Sequence, residues 1–256
     1  MLRRFSKLWK VRQHRETVLG GADLWNQRAR ECTGHARSMW PSATLNEVYD
    51  AEQRVAIAQN LPDIAGQKIL DIGCGTGRMS RFLAARGAAE VVGVDIASEV
   101  IEAARRETRD PSVTYRAQSI YDLTDDQHFD GVHCLGAVCV ACNSPAQLAQ
   151  VLERFNAALK PGGWLLLLEP IHTSWFLHRA LTMTPDDFAD AVAHAGFDVQ
   201  RTGSMHFWPT RMALAYFSIP MPITRVVAGA GRRALKTLGS PKALGDYMVL
   251  FARKNS

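Results

Sequence analysis

No run of apolar residues in this chain is long enough to cross a bilayer as a helix. The longest are broken by Pro220, Pro222 and charged side chains, whereas a span needs about 20 predominantly apolar residues. Five cysteines, an odd number, argue against a disulfide framework, and no leader of the secretory kind opens the sequence. These absences predict a reducing, cytoplasmic setting. Charge of one sign is scarce too: 30 Lys and Arg against 25 Asp and Glu leave a net +5. That balance argues against a nucleic-acid partner unless the charge is concentrated in a patch. Neither an internal repeat nor a low-complexity tract is present. What the chain does have is apolar content, 47% of 256 residues, enough to bury one large core.

The string Asp71-Ile72-Gly73-Cys74-Gly75-Thr76-Gly77-Arg78-Met79 follows Ile69-Leu70 and leads into a helical pattern from Ser80 to Arg86. It reads as strand, loop and helix start. Glycines at alternate positions let the backbone pass close to a ligand in dihedrals that side chains refuse. The helix aims free N–H groups and its positive dipole end at the occupant of the loop. With Asp71 ending the strand, the site suits a ligand bearing both a carboxylate and an ammonium, such as an amino-acid-bearing nucleotide. Spacing sets two competitors aside. A dinucleotide fingerprint needs its third glycine one residue later, and a P-loop needs a lysine that this loop lacks. Glu90-Val91-Val92-Gly93-Val94-Asp95 reads as a second buried strand ending in an acid, where a βαβ unit holds a ribose diol.

Leu70 to Gly77 with Val92-Gly93-Val94-Asp95-Ile96 resembles motifs I and II of class I S-adenosylmethionine-dependent methyltransferases. Leu159-Lys160-Pro161-Gly162-Gly163-Trp164-Leu165 resembles the turn before the fifth strand of that family, and Asp122-Leu123 and Phe129-Asp130-Gly131-Val132 fall in the expected order. The resemblance covers roughly 67–169. It implies a doubly wound, mostly parallel seven-stranded α/β sheet and S-adenosyl-L-methionine as cofactor. It implies that Asp71, Gly73, Cys74, Gly75 and Gly77 hold the methionyl part, that Asp95 takes the ribose hydroxyls and that Ile96 packs on adenine. Ser119, Ile120 and Leu135 join the cofactor site by the same resemblance. Where relatives often place an acid for the adenine amino group, this chain has Ala117-Gln118-Ser119-Ile120, and Gln118 can accept through its carbonyl oxygen.

Organisation follows composition. Residues 1–21 are basic, with Arg3, Arg4, Lys7, Lys10, Arg12 and Arg15 preceding the first acid, Glu16. Residues 22–65 read as two helices around Trp40-Pro41-Ser42, a cap over an active site. From 66 onward short apolar runs alternate with helical patterns. The expected strands are Lys68–Ile72, Glu90–Asp95, Val113–Ala117, Phe129–Leu135, Gly163–Glu169, Phe197–His206 and Tyr247–Ala252. A helical or irregular insertion at about 211–245 precedes the last. Its apolar residues Met212, Leu214, Tyr216, Phe217 and Ile219 either line an acceptor pocket or pack on the sheet edge. Cap and core together form a single domain in this reading, 1–65 and 66–256.

Methyl transfer is an in-line displacement at an already activated sulfonium, so the protein must position the acceptor, exclude water and sometimes remove a proton. Ligands in such sheets bind beyond the carboxyl ends of the strands. His172, after the fifth strand, is the candidate base on account of its near-neutral reference pKa. His206 and His178 are weaker candidates, and Glu169 serves either as a base or as an anchor for neighbouring backbone. Cys139-Val140-Ala141-Cys142 lacks the second ligand pair that zinc needs, and His133 faces away from Cys134 on its strand. The cysteines therefore read as apolar filler and no metal is expected.

The Leu-Gly-Ala-Val-Cys string after the fourth strand lacks the Asn/Asp-Pro-Pro-aromatic signature of enzymes that methylate base amino groups, which argues against base flipping. The acceptor expected is a small, hydrophobic molecule methylated at oxygen, nitrogen or carbon. Aminopropyl transfer, or a catalytically silent cofactor-binding or membrane-surface protein, are the alternatives. The N-terminal Leu2, Phe5, Leu8, Trp9 and Val11 with interleaved basic residues read either as an interfacial amphipathic helix or as a solvated terminus. Arg225, Arg232, Arg233, Lys236 and Lys242 would strengthen a peripheral membrane contact if they shared one face.

Overall fold

In the computed structural model, residues 21–173, 180–215, 217, 219–239 and 242–255 are described. Seven strands, β1 (Lys68–Ile72), β2 (Glu90–Asp95), β3 (Val113–Ala117), β4 (Phe129–Leu135), β5 (Leu159–Glu169), β6 (Phe197–Phe207) and β7 (Gly245–Lys254), form one sheet in the order β3-β2-β1-β4-β5-β7-β6. The first five are parallel to one another, and β7 runs antiparallel between β5 and β6. Strand order reverses between β1 and β4, so their carboxyl ends open a crevice at the switch point, where open α/β sheets bind ligands.

The helices are α1 (Ala22–Glu31), α2 (Ala43–Asn60), α3 (Arg78–Ala85), α4 (Ser98–Glu107), α5 (Val138–Ala141), α6 (Pro145–Ala158), α7 (Pro185–His194), α8 (Trp208–Leu214) and α9 (Met221–Thr237). Alternation along the strands sends side chains to two cores. Leu70 and Ile72 of β1 and Val132 and Cys134 of β4 pack with Leu148, Leu152 and Phe155 of α6 and Phe188 of α7. Ile69 packs on the opposite face with Leu45, Tyr49 and Ile57 of α2 and Leu83 of α3. Because both faces are covered, β5 reads as the unbroken buried run Trp164 to Leu168.

The boundaries of β1 to β4 coincide with those expected, while β5 starts four residues early, at Leu159 in place of Gly163. Leu159 pairs with Phe129 ahead of a register shift, and Gly162 absorbs the bend at φ 71°. The insertion differs as well. Helix α8 begins directly at the end of β6, with Pro209 in its first turn, where the missing N–H costs nothing. The segment then backs onto the cap. Ser42 N–H donates to Ala215 O at 3.1 Å, Thr44 Oγ1 donates to Ile219 O at 3.0 Å, and Thr224 Oγ1 donates to Thr44 Oγ1 at 3.2 Å. Among the described residues, no helix is long and apolar enough to cross a membrane.

Candidate active site

The glycine loop has the backbone that its spacing predicts. Gly73, Gly75 and Gly77 lie at φ 64°, 55° and 74°, in the left-handed region that costs a non-glycine residue about 1–2 kcal/mol. Space forbids side chains there too. A Cβ on Gly73 would sit 2.3 Å from Ala137 Cβ, and one on Gly77 would sit 2.0 Å from the Tyr115 hydroxyl. At Gly75 the obstacle is Ser38 of the cap, 2.9 Å away. Asp95 braces the same loop, accepting from Gly75 N–H at 3.1 Å and from Ala97 N–H at 2.9 Å. A carboxylate offers about four lone-pair sites, and Asp95 also lines the cleft.

Two cavities, of about 150 and 160 Å³, open along the crevice. Each is far larger than the roughly 10–15 Å³ that one water occupies. They share Trp25, Ser38, Gly73, Leu135, Gly136 and Val140 in their walls, so they form two ends of one cleft. One end holds Asp95, Ile96, Ser119, Ile120 and Tyr121. The other holds Asp71, Cys74, Gly75, Arg78 and His133 beneath a roof of Met39, Trp40, Pro170 and Tyr247. Of the residues expected at the cofactor, Asp71, Gly73, Cys74, Gly75, Asp95, Ile96, Ser119, Ile120 and Leu135 line the cleft. Gly77 and Gln118 do not. Gly77 caps α3, and the half-buried Gln118 donates its amide N–H to Asp122 O at 2.7 Å. Ile96 is 42% exposed at the mouth, an apolar surface open to a flat ring.

The cap is fastened to this cleft. Arg78, next to the glycine loop, donates to Asp50 Oδ1 at 2.7 Å and Gln53 Oε1 at 2.6 Å on α2. Burial lowers the Arg78 pKa, and the Asp50 carboxylate opposes that shift. Arg28 of α1 donates to the carbonyls of Ala36 and Met39 and lines the cleft, holding the Ser38–Trp40 wall in place.

The residues expected to act as bases are placed elsewhere. His172 is buried with Nε2 3.6 Å from Asp246 Oδ1. The same carboxylate accepts from Tyr49 of α2 at 3.1 Å and from Arg211 of α8 at 2.7 Å. His206 stacks on Tyr49 at 3.6 Å between centroids and pairs with Glu52 at 2.8 Å. Neither histidine lines either cavity; His206 ties α2 to β6, and His172 sits beside the β7 carboxylate that Tyr49 of the cap reaches. His178 lies outside the described residues. Glu169 is an anchor, accepting from Val138 N–H at 3.2 Å, Cys139 N–H at 3.0 Å and Cys134 Sγ at 3.2 Å. Burial pushes its pKa up. Burial likewise raises the Cys134 thiol far above its usual range and Cys142 to about 11, which suits filler. Among the described residues, no cluster of His, Cys, Asp and Glu could hold a metal.

Sequence reasoning passed over His133. It is fully buried, lines the cleft and sits with Nδ1 2.7 Å from Asp71 Oδ1, while Ser80 donates to Asp71 Oδ2 at 2.5 Å. Alternation already puts it on the Leu135 side of β4. Its partner follows from register, since Asp71 and His133 are opposed residues of β1 and β4.

Residues 69–163 match the family model described as a methyltransferase domain. Over 139 residues, 53% of this chain and 52% of the relative, the sequence is 35% identical to a ubiquinone biosynthesis O-methyltransferase of Xanthomonas oryzae pv. oryzae. The chain thus spans about half the length of the curated relatives it matches. Among solved structures it is similar to an S-adenosylmethionine-dependent methyltransferase from Mesorhizobium loti, with TM-score 0.60 and 18% identity over 78% of this chain and 96% of that one. It is also similar to the cyclase SpnF, with TM-score 0.59 and 18% identity over 82% of each chain. At such identities the structural likeness establishes the fold.

Proposed function

We propose that this chain, whose residues 69–163 belong to the class I S-adenosylmethionine-dependent methyltransferase family, methylates a small hydrophobic acceptor, with a hydroxylated aromatic as the first class to try. The observation that carries the reading is the two-ended cleft. One end has the acid, the exposed isoleucine and the polar turn that fit a ribose and adenine, and the other has the glycine loop, Asp71 and an aromatic roof. The relatives' naming for an O-methylation in ubiquinone biosynthesis supports oxygen as the acceptor atom.

S-adenosylmethionine, when bound, supplies a methyl group already activated on a sulfonium. The work of the chain is then orientation and exclusion of water. Gly73 to Gly77 and Asp95 hold the cofactor, while Trp25, Met39, Trp40, Val140 and Tyr247 press an apolar acceptor toward it. Holding two reactants in line is worth about 10⁵–10⁸ M in effective concentration. The base role expected of His172 or His206 has no support from their placement, and alignment is the proposed source of rate. The test is transfer of an isotopically labelled methyl group to panels of hydroxylated aromatics and of polar amines, beside calorimetry of cofactor binding. Turnover confined to the aromatics is expected. Cofactor binding without turnover on either panel favours a silent binding protein, and tighter binding of decarboxylated cofactor favours aminopropyl transfer.

A membrane contact is the second part of this reading. The N-terminal stretch Leu2 to Val11, which reads either as an interfacial helix or as a solvated terminus, lies outside the described residues. Helix α9 supports the idea independently. It buries Thr224, Ala228, Gly231 and Leu235 and exposes Ile223 at 53% and Val226 at 71%. Arg225, Arg233 and Lys236 flank these, exposed and without an ion pair among the described residues. An apolar strip with a basic flank is the pattern of a helix lying in an anionic bilayer surface.

A further inference from the structure

Inside a sheet, a buried histidine ordinarily satisfies both ring nitrogens, because an unpaired buried polar atom costs about 1–3 kcal/mol. His133 satisfies one. Its Nδ1 meets Asp71 Oδ1 at 2.7 Å, and its fully buried Nε2 has no hydrogen-bond partner among the described residues. Nor is the ring free to turn, since the second Asp71 oxygen is occupied by the Ser80 hydroxyl at 2.5 Å and the carboxylate is fixed. Because that carboxylate accepts, Nδ1 carries the hydrogen and donates, and in the neutral ring Nε2 is then a bare lone pair. The side chain lines the same end of the cleft as the glycine loop.

We infer that His133, oriented by Asp71 and Ser80, receives the ammonium group of the amino-acid part of the cofactor through Nε2, and so makes the site selective for ligands that carry that amine. This rests on the cofactor reading above and sharpens it: the contact assigned to Asp71 is relayed through an imidazole that the carboxylate orients. A bare Nε2 rewards a donor and repels a carboxylate oxygen, which fixes which end of the amino acid faces β4. His133 is a binding and positioning residue here and takes no proton from the acceptor.

The experiment compares two ligands by calorimetry. S-adenosylhomocysteine has the amino acid; methylthioadenosine has the same adenosine and sulfur without it. In His133→Leu, affinity for S-adenosylhomocysteine should fall by about tenfold or more, the range of a hydrogen bond to a charged group, while methylthioadenosine binds as it does to the unaltered protein. Deaminated S-adenosylhomocysteine should bind both proteins equally, closing the cycle. Equal losses for all three ligands would make His133 a purely structural residue, and no loss for any would remove it from the site; either overturns the inference. As a check that needs no variant, the Nε2 nitrogen resonance of His133 should shift on adding S-adenosylhomocysteine and stay put with methylthioadenosine. Failure of the unaltered protein to bind either ligand would instead overturn the cofactor reading itself.

Discussion

Asp95 carries two duties that pull its chemistry in one direction. It braces the loop through Gly75 and Ala97, and it lines the cleft. A ribose diol held by an ionised carboxylate makes hydrogen bonds worth about 1.5–3 kcal/mol. Asp95→Ala should therefore weaken S-adenosylhomocysteine by roughly 10- to 150-fold in calorimetry. Burial raises the Asp95 pKa above its ordinary 3.8, although three backbone N–H groups oppose the shift. The accepting form is the ionised one, so affinity is full above the raised pKa and lost as pH falls through it. That loss should begin at a higher pH than an ordinary aspartate would give. Asp95→Asn, which does not ionise, should flatten this acid limb; a limb left unchanged by that substitution would assign it to another group. The spacing of Asp95 behind the glycines made this residue legible from sequence, because a βαβ unit fixes where the second strand tip falls. His133 was illegible for the opposite reason: its meaning depends on Asp71, 62 residues away, through a strand register that no local pattern encodes.

Elements repeat that division. Strands β1 to β4 were readable because each is a short apolar run closed by turn residues. The early start of β5 was not, since it depends on the pairing of Leu159 with Phe129. The 211–245 segment was readable as an insertion but not as the backing of α2, because threonine and carbonyl contacts over more than 170 residues leave no periodic trace. Glu169 stands between the two, since a strand-end acid reads either as a base or as an anchor of neighbouring backbone. It ends β5 and holds the start of α5, whose preceding turn, Leu135 to Ala137, walls the cleft. Glu169→Gln turns one acceptor oxygen into a donor facing N–H groups, so a loss of about 1–3 kcal/mol is expected, read as a drop of several degrees in thermal unfolding. The sign of its pH dependence also follows. Burial raises the folded pKa above the ordinary 4.5, so the folded protein holds more protons between the two values and its stability falls as pH rises through that window. The glutamine protein should lack this slope. Equal melting of both proteins at every pH would show that α5 holds its place without the carboxylate.

At the scale of the whole molecule, the proposed hydrophobic acceptor has to reach a cleft walled by Trp25, Trp40 and Tyr247. Delivery from a bilayer would solve the problem of its low concentration in water, and α9 packs, through Thr224 and Thr44, against α2, which follows the Ser38–Trp40 wall in the chain. A second copy of this chain fits the exposed face of α9 poorly, since it would bring the same cationic flank. An anionic lipid surface complements it, at about 1 kcal/mol for each lysine or arginine near the headgroups. Co-sedimentation with vesicles of phosphatidylglycerol and phosphatidylcholine should accordingly exceed that with phosphatidylcholine alone and weaken as salt rises. Reversing three charges, Arg225→Glu, Arg233→Glu and Lys236→Glu, should lower the partition coefficient by about a hundredfold or more. These side chains are exposed and unpaired among the described residues, so melting temperature and cofactor affinity should stay as they were. Val226→Asp tests the apolar strip separately, and should reduce binding to anionic vesicles while the attraction of the basic flank persists. Binding that survives all four substitutions at full strength would take the contact away from α9 and return it to the basic segment before residue 21.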